Sequence, residues 1–211
     1  MNGIVKPAEI EKQSFKMITE ELGERSFPAG IGDVVKRVIH TTADFDYADN
    51  LCFSNHVIEK AKAALGAGAT IVTDTNMALS GISKAALKRL GGRAVCFMAD
   101  EAVTHEAGER GVTRAVVSME HAAKLEEPII FAIGNAPTAL LRLHELMRES
   151  AVAPALVIGV PVGFVNVVES KELFLGGSTP YIIARGRKGG SNVAAAIVNA
   201  LLYQMVRREG F

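Results

Sequence analysis

The chain has 211 residues, with 23 Lys plus Arg balanced by 23 Asp plus Glu, so its formal net charge is zero. That balance speaks against a general nucleic-acid binder, which carries a basic excess; residues 1–7 lack the apolar stretch of a secretory leader, and no apolar run approaches the roughly 20 residues of a membrane span. Apolar residues make up 49% but aromatics only 6%, with no Trp, so a large core must come from Ala, Val, Ile and Leu, which suits helices packed on a parallel sheet.

Pro7 opens a helix that reaches Leu22. Its apolar stripe of Ile10, Phe15, Met17, Ile18 and Leu22 has Ser14 in the middle. Two readings are open for that hydroxyl: a bond back to the carbonyl four residues earlier, or a contact with a bound ligand. A second helix over residues 31–40 sets Ile31, Val34, Val35 and Val38 on one face and Arg37 with His40 on another. His40 falls near the helix C-terminus, where the negative end of the dipole, with Asp44 beyond it, favours an imidazolium. It reads either as a solvated histidine or as a proton donor near neutral pH. Residues 41–51 are acidic and read as irregular. Ser54 is a candidate N-cap for a helix ending near Leu65, with Gly66 after it.

From Thr70 onward strands and helices alternate. Strands are expected at Thr70–Thr73, 94–98, Ile129–Ile133, 155–160 and Tyr181–Ala184. Between them come a helix capped by Ser83 and ended by Gly91-Gly92, a mixed stretch over 101–125, a helix at 138–148 with Pro137 in its first turn, one around 165–175 and a last one at 192–206. The two cysteines, Cys52 and Cys96, sit outside any CxxC or metal-ligand spacing, and Cys96 reads as a small buried hydrophobe in a strand. A reducing, cytoplasmic setting follows as the expectation. The pattern predicts an α/β fold: a doubly wound, mostly parallel sheet of about five strands flanked by helices, with a helical N-terminal region. A single domain spans 1–211, with 1–66 a helical arm and 67–211 the sheet portion.

Three of the strands run into small or polar segments: Gly134-Asn135-Ala136-Pro137, Pro161-Val162-Gly163, and the run from Arg185 through Gly186, Arg187, Lys188, Gly189 and Gly190 to Ser191. Ligands of open α/β sheets bind at that edge, where glycines admit close approach and helix N-termini offer N–H donors to anions. The 186–191 segment is the strongest anion signal, since two cations and a glycine pair precede a helix. It is not a Walker A loop, and neither a GxGxxG nor a GxSxG elbow is present. Asp74, at a strand end, reads equally as a functional carboxylate or as a cap. His56, His105, His121 and His144 lack ligand spacing, so no metal site built by the protein is expected.

Seven stretches, in order along nearly the whole chain, resemble the precorrin-8X methylmutase family of cobalamin biosynthesis. They are IEKQSFKM at 10–17, RVIHTTAD at 37–44, TDTNMALSGI at 73–82, IGNAPTAL at 133–140, PALVIGVPVGF at 154–164, ESK at 169–171 and GRKGGS at 186–191. The resemblance implies an isomerase that moves a methyl group from C-11 to C-12 of a ring-contracted corrinoid, a 1,5-sigmatropic shift giving cobyrinate or hydrogenobyrinate. It implies a homodimer, no organic cofactor, and cobalt, where present, carried by the substrate. The family's catalytic histidine falls on His40, which is thought to manage a proton on the macrocycle, and its substrate contacts fall on Ser14 and Arg37. The macrocycle is flat and fringed with carboxylates, so it needs an apolar slot with cations and N–H donors at the rim. Arg37, Arg187, Lys188 and the strand-end residues Asn135, Gly163, Gly189 and Gly190 are the candidates for that rim. The HTTAD sequence resembles the branch that acts on the cobalt complex, whereas the metal-free branch tends to carry HACG. Two other readings stand beside this one: a nucleotide- or phosphate-binding α/β protein built on the 186–191 loop, and a non-catalytic corrinoid carrier.

Overall fold

The computed structural model describes residues 7–206; residues 1–6 and 207–211 lie outside the described part. Two helices, α1 (Pro7–Leu22) and α2 (Ile31–Thr42), are followed by the short α3 (Tyr47–Asn50), β1 (Leu51–Phe53) and α4 (Val57–Gly66). Then come β2 (Thr70–Thr73), α5 (Asn76–Gly81), α6 (Lys84–Arg89), β3 (Arg93–Val95), α7 (Glu101–Arg110) and α8 (Arg114–Ala122). The chain continues through β4 (Ile129–Ile133), α9 (Pro137–Arg148), β5 (Leu156–Gly159), α10 (Val167–Glu172), β6 (Tyr181–Ala184) and α11 (Ser191–Tyr203).

The six strands form one sheet in the order β1-β6-β5-β4-β2-β3. Every pairing is parallel except β1 with β6, where Leu51 faces Ala184 and Phe53 faces Ile182. The five parallel strands have the flavodoxin-type order, so the winding reverses between β2 and β4. Every residue of β2, β4 and β5 is buried, as a sheet covered on both faces requires. Successive side chains divide between two cores. Ile130 and Ala132 join the layer of α2, α4 and α11, while Ile129, Phe131 and Ile133 join Met119 of α8 and Leu140 and Leu143 of α9.

The sheet thus has six strands rather than five. The sixth, β1, lies in the acidic stretch expected to be irregular, and its three residues are too few to show a period. It also places a strand inside the 1–66 segment read as a helical arm, and α2 and α4 of that segment pack in the same core as α11. The 101–125 stretch resolves into α7 and α8. Ser54 does not cap α4: His56 takes that position with φ 57°, and the Ser54 hydroxyl accepts from the Tyr181 N–H at 2.9 Å, tying the end of β1 to β6. Ser83 does cap α6, accepting from the Ala86 N–H. The third strand of the sheet stops at Val95, so Cys96 is only half-buried, at the start of a short 3-10 turn.

Asp74 answers the switch point. Its carboxylate is fully buried and accepts the N–H groups of Gly134 at 2.9 Å, Asn135 at 2.8 Å and Ala136 at 2.6 Å. These are donors at the approach to α9 that its own backbone cannot satisfy. Of the two readings of Asp74, the cap is what the structure shows.

Asp74→Ala leaves three backbone donors, one buried and two part-buried, without this acceptor and is expected to lower stability by about 3 kcal/mol, read from urea or thermal unfolding. Burial raises the Asp74 carboxyl above its ordinary 3.8 despite the N–H bonds that lower it. The folded state therefore holds this proton more tightly than the unfolded chain. The gap between wild type and variant should be widest below 3.8 and narrow as the pH rises through the folded value.

Candidate functional site

A groove of about 520 Å³ opens between α1, α2, α11 and the end of α5. Between Asn192, Asn199 and Tyr203, α11 presents only the methyl groups of Ala195 and Ala196 to it, which keeps that stretch of the wall low. Gly81 closes α5 against this wall, where a Cβ would fall 2.8 Å from the Ala195 methyl. Asn199 fastens the two helices, accepting from the Ser83 N–H and donating to the Gly81 carbonyl, both at 2.8 Å.

Arg37 and His40, three residues apart on α2, both line this groove. The arrangement follows from α1, whose Glu11 and Phe15 are one turn apart. Glu11 forms an ion pair with Arg37, and both side chains are largely buried. The guanidinium carbon lies 4.6 Å from the Phe15 ring centroid and 5.3 Å from that of Tyr203, within the range of cation–π attraction. The His40 ring stacks on Phe15 with centroids 5.1 Å apart and planes 9° from parallel. His40 lies in the last turn of α2 and is otherwise exposed. The site therefore offers a positioned imidazole, a guanidinium, two amides and apolar side chains along one groove. Among the described residues, no group of three or more His, Cys, Asp or Glu gathers in a metal-binding cluster.

Ser14 is not part of the groove lining; its hydroxyl donates to the Ile10 carbonyl at 2.9 Å, the first of its two sequence readings. Ile10 and Met17 of the predicted stripe are more than half exposed, whereas Ile18 and Leu22 are buried. Asn135, Gly163, Arg187, Gly189 and Gly190 also lie outside the groove lining, at the C-terminal edge of the sheet. This edge borders the groove. Gln204 beyond α11 donates to the Gly30 carbonyl before α2, so the helices run antiparallel and the start of α11 lies against the end of α2. Accordingly Lys188 pairs with Asp44 and Asp46, just past α2, at 2.6 Å each.

Those contacts bear on two of the rim candidates. The Lys188 ammonium is held by two carboxylates, which push it above its ordinary range, so it is not an uncompensated rim cation. Gly189 is required by the chain itself: a Cβ there would collide with the Val160 carbonyl oxygen. The Gly190 N–H likewise donates to Val160 O at 2.8 Å. Sequence reasoning did not single out Glu11, Asn192, Asn199 or Tyr203 as site residues. The one usable signal was Tyr203, the single aromatic of α11.

Fold and groove together define a protein of the doubly wound α/β class with a histidine beside a wide, largely apolar groove. A model of the precorrin-8X methylmutase family matches residues 9–204. The chain is similar to the cobalt-precorrin-8 methylmutase of Salmonella typhimurium (46% identity, covering 97% of this chain and 99% of the relative). It is also similar to the precorrin-8X methylmutase of Pseudomonas aeruginosa (42%, covering 91% and 93%). Its structure is similar to a crystal structure of precorrin-8X methyl mutase from Thermus thermophilus, with a TM-score of 0.84 and 38% identity over 92% of this chain and 95% of that one. The chain belongs to the precorrin-8X methylmutase family, and is an isomerase of cobalamin biosynthesis.

Gly81→Ala should force α5 away from α11 at a cost of about 1–3 kcal/mol. A melting temperature equal to wild type would show that the two helices have slack there.

Proposed function

We propose that the groove takes a polycarboxylate corrinoid, precorrin-8 in its cobalt form, and moves its methyl group from C-11 to C-12 to give cobyrinate. The observation that carries this reading is the placing of Arg37 and His40 on one helix face, both packed on Phe15, in the same groove. The rearrangement is intramolecular and needs no nucleophile. His40 manages a proton on the macrocycle and so favours the tautomer that rearranges; such a group contributes typically about 10²–10⁴-fold. The remainder comes from holding one conformer in place. Arg37, already partnered by Glu11, presents its remaining N–H donors to a peripheral carboxylate, with Ser14 a further contact. No cofactor of the protein's own takes part, and the cobalt arrives with the substrate.

The HTTAD sequence at 40–44 supports the cobalt substrate over the metal-free one. Two copies associate, a reading supported by Ile10 and Met17, apolar and more than half exposed on α1. Among the described residues no helix is long and apolar enough to cross a membrane, and the two free cysteines suit a cytoplasmic setting.

Incubation with precorrin-8 and with its cobalt complex, followed by absorbance, tests the substrate directly; faster turnover of the metal-free compound would reverse the cobalt preference. His40→Ala should lose about 10²–10⁴-fold in turnover while retaining product binding. A carrier without catalysis would lose nothing in the same assay. Arg37→Ala leaves the Glu11 carboxylate facing an anionic ligand and should weaken product binding by about 1.5–3 kcal/mol. An unchanged dissociation constant at low salt would remove Arg37 from the site.

A further inference from the structure

The ESK stretch of the sequence plays no part in the groove, yet it supplies the one fully buried lysine among the described residues. Lys171, in α10, is inaccessible to solvent, and its ammonium donates to the carbonyls of Gly186 and Lys188, each at 2.9 Å. These carbonyls flank Arg187. The carbonyl between them, that of Arg187 itself, accepts from the Gly163 N–H at 3.2 Å. Three successive carbonyls of the loop are therefore held by the protein. In a trans peptide the C=O of one residue and the N–H of the next point in opposite directions, and no peptide here is cis. The N–H groups of Arg187 and Gly189 are thus turned away from Lys171, and neither has a backbone acceptor among the described residues.

Charge is distributed in the same sense. The Lys188 ammonium is neutralised by Asp44 and Asp46, and Arg185 beside the loop is paired with Glu172. Two cations remain without a carboxylate: Arg187, whose guanidinium lies 5.3 Å over the exposed Phe164 ring, and Lys171 beneath the loop. A buried ammonium with only carbonyl partners is costly, and it serves here to fix a loop whose outer face offers backbone donors under a positive field.

We propose that Lys171 is a positioning residue for substrate: its buried ammonium holds the 186–189 loop with the Arg187 and Gly189 N–H groups turned away from it, so that these donors and the Arg187 guanidinium together receive one peripheral carboxylate of the corrinoid. This rests on the corrinoid reading of the groove. The loop borders the end of the groove where His40 stands, so a carboxylate anchored there sets how far the macrocycle slides along α11. Loss of Lys171 acts on binding rather than on the proton step.

The test compares wild type, Lys171→Met and Lys171→Arg by absorbance titration with cobyrinate and by steady-state turnover. Lys171→Met should raise the product dissociation constant and KM at least tenfold while kcat changes less than threefold. Lys171→Arg, which keeps a charged donor, should recover part of the loss. Burial lowers Lys171 to about 8, so wild-type affinity should fall as the pH rises through that value; the other charged groups around the loop are Arg187, Lys188, Asp44, Asp46, Glu172 and Arg185. This second measurement serves even where Lys171→Met does not fold. Equal cobyrinate binding by wild type and folded Lys171→Met, or wild-type affinity flat between pH 7 and 9.5, overturns the proposal alone. Failure of wild type to bind cobyrinate overturns the corrinoid reading and the proposal with it.

Discussion

The C-terminal edge of the sheet depends on one carboxylate. Asp74 sits where the winding reverses, shut off from water, and takes three N–H groups from the approach to α9. From there the contacts spread sideways. Thr75 caps α5 through the Ala78 N–H, and its hydroxyl pairs with that of Ser191 at 2.7 Å, at the first residue of α11. Gly134 abuts the same residue, since a Cβ on it would lie 2.7 Å from the Ser191 Cα. The starts of α5, α9 and α11 therefore converge, and two of these helices are walls of the groove. In doubly wound folds the switch-point helix start commonly receives a ligand's phosphate. Here the protein's own carboxylate occupies it, and the groove lies instead among α1, α2 and α11.

Charge around the groove is mostly self-compensated. Arg37 has Glu11, and Lys188 has two aspartates. The groove therefore presents shaped donors rather than a field of bare cations. That arrangement favours orientation over sheer attraction, because a neutral pair with fixed geometry still offers directional hydrogen bonds. It also fits a chain whose total charge is zero.

The parallel strands were legible because burial on both faces writes them as short apolar runs. Thr70–Thr73, Ile129–Ile133 and Tyr181–Ala184 have the same bounds in the structure as in the sequence reading. The helices were legible from period and caps, as at Pro137 and Ser83. β1 was not, because three residues carry no period and its partner lies some 130 residues away. Arg37 and His40 were visible as a face of α2, but the ion pair that neutralises Arg37 comes from another helix, and no local pattern announces it. Lys188 looked like a free cation for the same reason. Lys171 was hidden because a lysine in a short polar motif reads as solvated, and only the fold of the 186–189 loop over it removes the water.

The antiparallel strand β1 has a consequence for assembly. Without it, β6 would present a row of open backbone groups along the flank of the sheet, a template for strand addition by another chain. β1 covers that row, with Ser54 and Asn50 extending the pairing at its two ends through the Tyr181 and Arg185 N–H groups. Both outermost strands, β1 and β3, are only three residues long, which blunts the flanks. The sheet therefore ends on both flanks in a strand too short to template a long ladder with another chain.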